Sequence, residues 1–225
     1  MPGRKHKFII DGIYHVYNKT IEKRKLFDNK DICSKFIEII QYYRSANSIL
    51  RFSKYQKLTS EFKQYYKNKI LDLNSFRVEI LAFCLMPTHY HLLLKQKQQK
   101  GISIVISQIQ NSLTRYYNVK TEKNGPIFLH RFKSKPISNE KELKHTSRYI
   151  HLNPYSSGVI QDIEELEHYP WSSLHEYLAD SSTSLTQPEY ILSTFNNDKN
   201  RYRKFILENA EYQKTLEYCK YLKKW

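Results

Sequence analysis

Two histidines one residue apart, His89 and His91, stand inside the run Met86-Pro87-Thr88-His89-Tyr90-His91-Leu92-Leu93-Leu94. In a strand alternate side chains share a face, so both imidazoles point the same way. Burying two neighbouring imidazoles is unfavourable unless something satisfies them, and a divalent cation does so by accepting a lone pair from each. The plainer reading, one hydrogen-bonded core histidine beside one at a sheet edge, would suffice for an isolated His-x-His. Here a second constellation follows, in Arg148-Tyr149-Ile150-His151-Leu152-Asn153-Pro154. Tyr149 and Asn153 are four apart, so on a helix a phenol and a carboxamide look at one small site together. Two imidazoles and one oxygen donor leave a cation with open positions. Magnesium or manganese suits phosphate chemistry there, and imidazole alone equally accepts zinc.

Hydrophobic periodicity supplies the elements that must position these groups. Alternation predicts a first strand over 8–17, and helical spacing of Ile32, Phe36, Ile39, Ile40 and Tyr43 predicts a helix over 28–45. Residues 47–74 read as a polar, Lys- and Tyr-rich surface insertion of two short helices broken near Leu58-Thr59-Ser60. A continuous apolar strand over 78–85, a turn at 86–88 and a strand over 89–95 form a hairpin with the His pair on its second arm. An amphipathic helix over 101–117 follows, then a short strand over 127–132. The Tyr149 helix is capped at Ser138 or Asn139, with Glu142 as in a capping box, and Pro154 places Asn153 near its last turn. The order strand, helix, strand, strand, helix, strand fits an α+β fold: a ferredoxin-like antiparallel sheet with helices on one face. The expected organisation is a domain over 1–178, a Ser- and Thr-rich linker over 179–188, and a C-terminal helical extension over 189–225 of two helices, which either clamps DNA or packs on the core.

The chain has 225 residues, with 37 Lys and Arg against 22 acidic residues, a formal charge of +15. That excess points to a polyanionic partner, nucleic acid ahead of an anionic membrane. The longest apolar run, 80–86, is too short to cross a bilayer, and the basic start lacks a signal-peptide hydrophobic region, so a cytoplasmic protein is expected. Cys33, Cys84 and Cys219 form no CxxC pair, which argues against a disulfide framework and a thiolate zinc site. The 19 tyrosines and 11 phenylalanines suit stacking on unpaired bases, although most individual tyrosines read as packing residues.

The motifs from Met86-Pro87-Thr88-His89-Tyr90-His91, through Gly125-Pro126-Ile127-Phe128 and Arg131-Phe132-Lys133, to Arg148-Tyr149-Ile150-His151-Leu152-Asn153-Pro154 and Tyr169-Pro170-Trp171-Ser172-Ser173 resemble those of the REP-associated tyrosine transposases. These belong to the wider single-tyrosine, His-hydrophobe-His transposase family. The resemblance covers roughly residues 8–178. It implies that His89 and His91 are metal ligands, that Asn153 is the third ligand, and that Tyr149 is the nucleophile. Two departures stand out, since family members commonly carry Asn where Thr88 stands and Gln-Gly where Leu129-His130 stands. Neither removes a group that the chemistry requires.

The implied activity is a metal-dependent cutting and transfer of single-stranded or hairpin DNA, as in transposition, through a 5′-phosphotyrosine, with Mg2+ or Mn2+ as cofactor and the chain a monomer or homodimer. Tyr116 and Tyr117 are weaker nucleophile candidates, because Lys120 and Thr121 follow them where an amide or acid would be wanted. His151 is expected off the catalytic face in a packing or hydrogen-bonding role, while His130 and His145 are possible proton shuttles. Arg115, Arg131, Lys133, Lys135 and Arg148 are candidate DNA phosphate contacts, against a plainer reading as solvated surface charge. Two other classes compete: a non-catalytic or domesticated nucleic-acid-binding protein, and a metal-dependent hydrolase in which water attacks.

Overall fold

A four-stranded antiparallel sheet organises the chain, in the order β2 (Val78–Met86), β3 (His89–Gln96), β1 (Ile13–Lys19) and β4 (Lys133–Ile137). The computed structural model describes residues 6–179 and 185–222. Helix α1 (Lys30–Tyr43) lies between β1 and β2, and α4 (Gly101–Thr121) between β3 and β4, so the expected ferredoxin-like α+β topology holds. The insertion forms α2 (Phe52–Tyr55) and α3 (Ser60–Ile70), two short helices as expected.

Strand alternation divides the core in two. Tyr14 and Val16 of β1, with Tyr90, Leu92 and Leu94 of β3, face α1 and α4. Leu93 of β3 and Leu81, Ala82, Cys84 and Met86 of β2 face the other way. There they meet α5 (Glu140–Ser156), α6 (Leu174–Leu178), α7 (Glu189–Leu192) and α8 (Lys199–Leu207). Helices therefore cover both faces, not one. The reason is visible in β2 and β3, which are apolar on both sides, and each fully buried Leu or Ile contributes about 1.5–3 kcal/mol only if it is covered.

Three boundaries differ from expectation. The first strand begins at Ile13 rather than residue 8, because Asp11 adopts a left-handed backbone (φ 61°) and a side chain at Gly12 would crowd Ile9 and Tyr14. The strand expected over 127–132 is instead the polar Lys133–Ile137. Ile127 and Phe128 are buried plugs of the α1 and α4 core. Pro136 is tolerated in β4 because that strand is at the sheet edge. Helix α5 runs through Pro154 to Ser156, so proline sits in its last turn and does not end it. Its start is capped by Asn139, whose Oδ1 accepts from Glu142 N (2.9 Å), while the Glu142 carboxylate accepts from Ser138 N (2.8 Å).

The C-terminal part adds α9 (Ala210–Leu222), which packs along α5, giving three α-helices among the described residues where two were expected. The centre of the expected linker, residues 180–184, lies outside the described residues, as do 1–5 of the basic start. The linker's distal end is packed rather than free: Leu185 and Thr186 are buried, and Gln187 N donates to Ile80 O. Among the described residues no helix is long and apolar enough to cross a membrane.

Candidate active site

At one end of the α5 face the strands exchange apolar side chains for polar ones. His89 and His91 point to that face together, ring centroids 4.9 Å apart, as alternation requires. Strand register sets Lys19 opposite His89, Tyr17 opposite His91, and Lys135 of β4 opposite His15. Helix α5 crosses this patch and presents Tyr149 edge-on, its ring 5.5 Å from His91 and 5.9 Å from His15. Together with Asn153 these residues line a cavity of about 950 Å³, and Lys214, Glu217 and Tyr218 of α9 complete its wall. The paired imidazoles and the phenol thus meet within one chain.

Each donor has a definite setting. Thr88 Oγ1 lies 3.1 Å from His89 Nδ1, which leaves Nε2 of that ring for a ligand. His91 Nδ1 is 2.8 Å from His15 Nε2, and His91 Nε2 is buried with no hydrogen-bond partner among the described residues. Asn153 is buried in the turn after Tyr149 and donates through Nδ2 to the Tyr149 carbonyl (2.8 Å), so its Oδ1 is the atom able to serve as a ligand. Gln213 of α9 donates to the same carbonyl (3.2 Å). Among the described residues no three His, Cys, Asp or Glu are arranged to hold a metal. An ion here would therefore take two imidazoles and a carboxamide oxygen, a mixed set that suits Mg2+ or Mn2+ as well as zinc. The orphaned, buried Nε2 of His91 fits such an occupant, since an unsatisfied buried nitrogen is otherwise costly.

Electrostatics keep the patch neutral on the protein side and cationic at its rim. Burial lowers His15 and His89 to about 4, assisted by Lys135 and Lys19 respectively, and holds His91 well below the usual imidazole range. All three rings are unprotonated at neutral pH, as ligation demands. Burial, with Glu217 and Tyr17 adding to it, pushes the Tyr149 phenol up to about 12, while a hydrogen bond with Asn153 pulls the other way. The Tyr149 phenol is consequently protonated at neutral pH unless a positive field reaches it.

The structure brings Tyr149, His89, His91, Asn153 and Lys135 to one cavity, and Lys133 lies exposed two residues along the same face of β4. Arg131 sits in the exposed segment before β4. Two expected DNA contacts are elsewhere. Arg148 is turned toward α8, its guanidinium 4.2 Å over the Phe205 ring and hydrogen-bonded to Phe205 O (3.3 Å) and His145 Nδ1 (2.7 Å). Arg115 is on the far side of the sheet, in a groove with Lys35, Arg51 and Tyr116. Tyr117 likewise packs against that far core. Neither His130 nor His145 lines the cavity. His151 is fully buried, bonded to Tyr202 and Ser173. Sequence reasoning missed His15, Tyr17, Lys19 and the α9 residues. The available signal was in β1, where Ile13, His15, Tyr17 and Lys19 alternate against Tyr14 and Val16.

Comparison with known proteins agrees with this geometry. A family model described as transposase, IS200-like, matches residues 48–153, the span holding both histidines, Tyr149 and Asn153. A putative REP-associated tyrosine transposase of Haemophilus influenzae is 26% identical over 126 residues, covering 52% of this chain and 68% of the relative. A solved REP-associated tyrosine transposase bound to a REP hairpin superposes with a TM-score of 0.56 at 16% identity, over 83% of this chain and 91% of that one. The resemblance read from the motifs therefore holds in sequence and in fold, and this chain is similar to the REP-associated tyrosine transposases.

Proposed function

We propose that the chain is a DNA transposase that cuts and rejoins single-stranded, hairpin-bearing DNA in the cytoplasm through a covalent tyrosine link. The observation that carries this reading is the placement of Tyr149 against the His89 and His91 pair in a cavity rimmed by Lys19, Lys135 and Lys214. The lysines suit a nucleic-acid backbone, whose phosphates they neutralise. Asn153 and Gln213 both hold the Tyr149 backbone, which fixes where the phenol stands relative to the histidines. The Tyr149 oxygen attacks phosphorus, the bond from phosphorus to the 3′-oxygen breaks, and that oxygen leaves with the proton that the phenol gives up. The products are a 5′-phosphotyrosine and a free 3′-hydroxyl, so the ester bond is kept for rejoining to another 3′-end.

His89, His91 and Asn153 would hold a divalent cation, Mg2+ or Mn2+. Bound there, it supplies neutralisation of a non-bridging phosphate oxygen and a positive field that lowers the cost of deprotonating Tyr149. The remaining work belongs to the protein: Lys19 and Lys135 retain the backbone, and the part-buried setting of Tyr149 limits competing attack by water.

The test is incubation with labelled hairpin-bearing single-stranded DNA and Mg2+ or Mn2+, followed by denaturing electrophoresis. The expected result is an SDS-resistant protein–DNA adduct with release of a free 3′-end. Cleavage without adduct would point to hydrolysis by water, and binding without cleavage to a non-catalytic module.

A further inference from the structure

We propose that His15 is a positioning residue that fixes the tautomer and ring orientation of His91 so that His91 Nε2 offers its lone pair to the cation. The inference rests on the metal reading above and deepens it. His15 and His91 lie on adjacent antiparallel strands, two residues out of register with each other and so on the same face, and their rings stack with centroids 5.0 Å apart. The 2.8 Å contact between His15 Nε2 and His91 Nδ1 joins two buried rings, so it needs one donor and one acceptor. If His15 were the donor, the proton of His91 would sit on Nε2, which has no partner among the described residues. If His91 donates from Nδ1, Nε2 becomes a bare lone pair in a residue that lines the cavity. The second arrangement leaves neither ring with an orphaned, fully buried donor and prepares a ligand, the role that outer partners of metal-bound histidines fill. His15 is thereby excluded as a ligand through Nε2, because that atom is spent on His91.

The measurement is Mn2+ binding by calorimetry and by electron paramagnetic resonance of the free ion, on full-length wild type, His15→Leu, His15→Gln and His89→Ala. Leu keeps the bulk of His15 and removes the acceptor, whereas Gln places an amide oxygen near the original Nε2. The expectation is Mn2+ affinity about 10- to 100-fold weaker in His15→Leu and within a few-fold of wild type in His15→Gln. Nitrogen-15 NMR of the metal-free protein should show His91 with its proton on Nδ1 in wild type and His15→Gln, and a mixture of tautomers in His15→Leu. Melting curves in chelator report whether each variant is folded, and the His91 NMR signals carry the test independently of affinity. Wild-type affinity in folded His15→Leu, or a His91 proton on Nε2 in wild type, would overturn the role of His15 while leaving the metal site standing. Wild type binding Mn2+ no better than His89→Ala would instead overturn the metal reading and the role of His15 with it.

Discussion

His91 and His151 are both buried and both held neutral, yet they sit in opposite kinds of surroundings on the same face of the sheet. His151 has both nitrogens bonded, Nδ1 to Tyr202 Oη and Nε2 to Ser173 Oγ, each at 2.8 Å. Tyr177 stacks on Tyr202 and bonds to Leu81 O, so this end is closed and satisfied. Among the described residues His91 is bonded on one nitrogen only, in a cavity wall beside Tyr149. The contrast teaches that burial alone does not mark a functional imidazole. Incomplete hydrogen bonding next to a cavity does, because a buried group left unsatisfied costs about 1–3 kcal/mol unless a ligand meets it.

The sharpest way to break the contrast is to remove one polar group from each end. Tyr149→Phe should lower adduct formation by more than about 10³-fold, with DNA binding retained and thermal stability little changed. Next in size, His151→Ala should cost about 2–4 kcal/mol by urea denaturation, since it opens a cavity and strands Tyr202 and Ser173. Adduct per folded molecule should stay within a few-fold of wild type.

Acid sharpens the same point. Burial holds His151 at about 3, below the roughly 6.5 of an unfolded chain, so the unfolded state binds the extra proton. The stability from keeping this ring neutral is complete above about pH 6.5 and is lost as pH falls toward 3, at about 1.4 kcal/mol per pH unit. Unfolding free energies from urea titrations of the metal-free protein at pH 7, 6 and 5 should fall with a slope to which His15, His89 and His91 also contribute, and the slope should be smaller in His151→Gln by the share of this one ring. Tyr202→Phe is a smaller change, expected to cost about 1 kcal/mol with no effect on the adduct. Smallest of all, Lys135→Ala at the open end should weaken single-stranded DNA binding only modestly, reducing the slope of log affinity against log salt by about 0.7.

Much of the open end could be read from spacing, because its key groups are local. His-x-His on a strand and Tyr-x-x-x-Asn on a helix each put two side chains on one face by geometry alone. Their meeting needed only the hairpin and α5 to share a sheet face. His15 was legible only as one of the alternating residues of β1, and its relation to His91 exists only through register across β1 and β3. Lys214, Glu217 and Tyr218 were equally hidden, since α9 reaches the cavity by packing on α5 from far along the chain. Composition misled where apolar residues do other work, as with Ile127 and Phe128, which plug the core while the polar Lys133–Ile137 pairs with β1. Arg148 has the right charge and adjoins Tyr149 in sequence, but the helical turn aims it at Phe205.

The central claim is that Tyr149 is the residue that becomes linked to DNA, and three phenols at the cavity compete for that role: Tyr17, Tyr149 and Tyr218. Peptide mapping of the nuclease-trimmed, SDS-resistant adduct by mass spectrometry decides among them. The account predicts a 5′-phosphonucleotide on the peptide beginning at Tyr149 and localised to that residue. A nucleotide on Tyr17 or Tyr218, or cleaved DNA with every tyrosine unmodified, would contradict it.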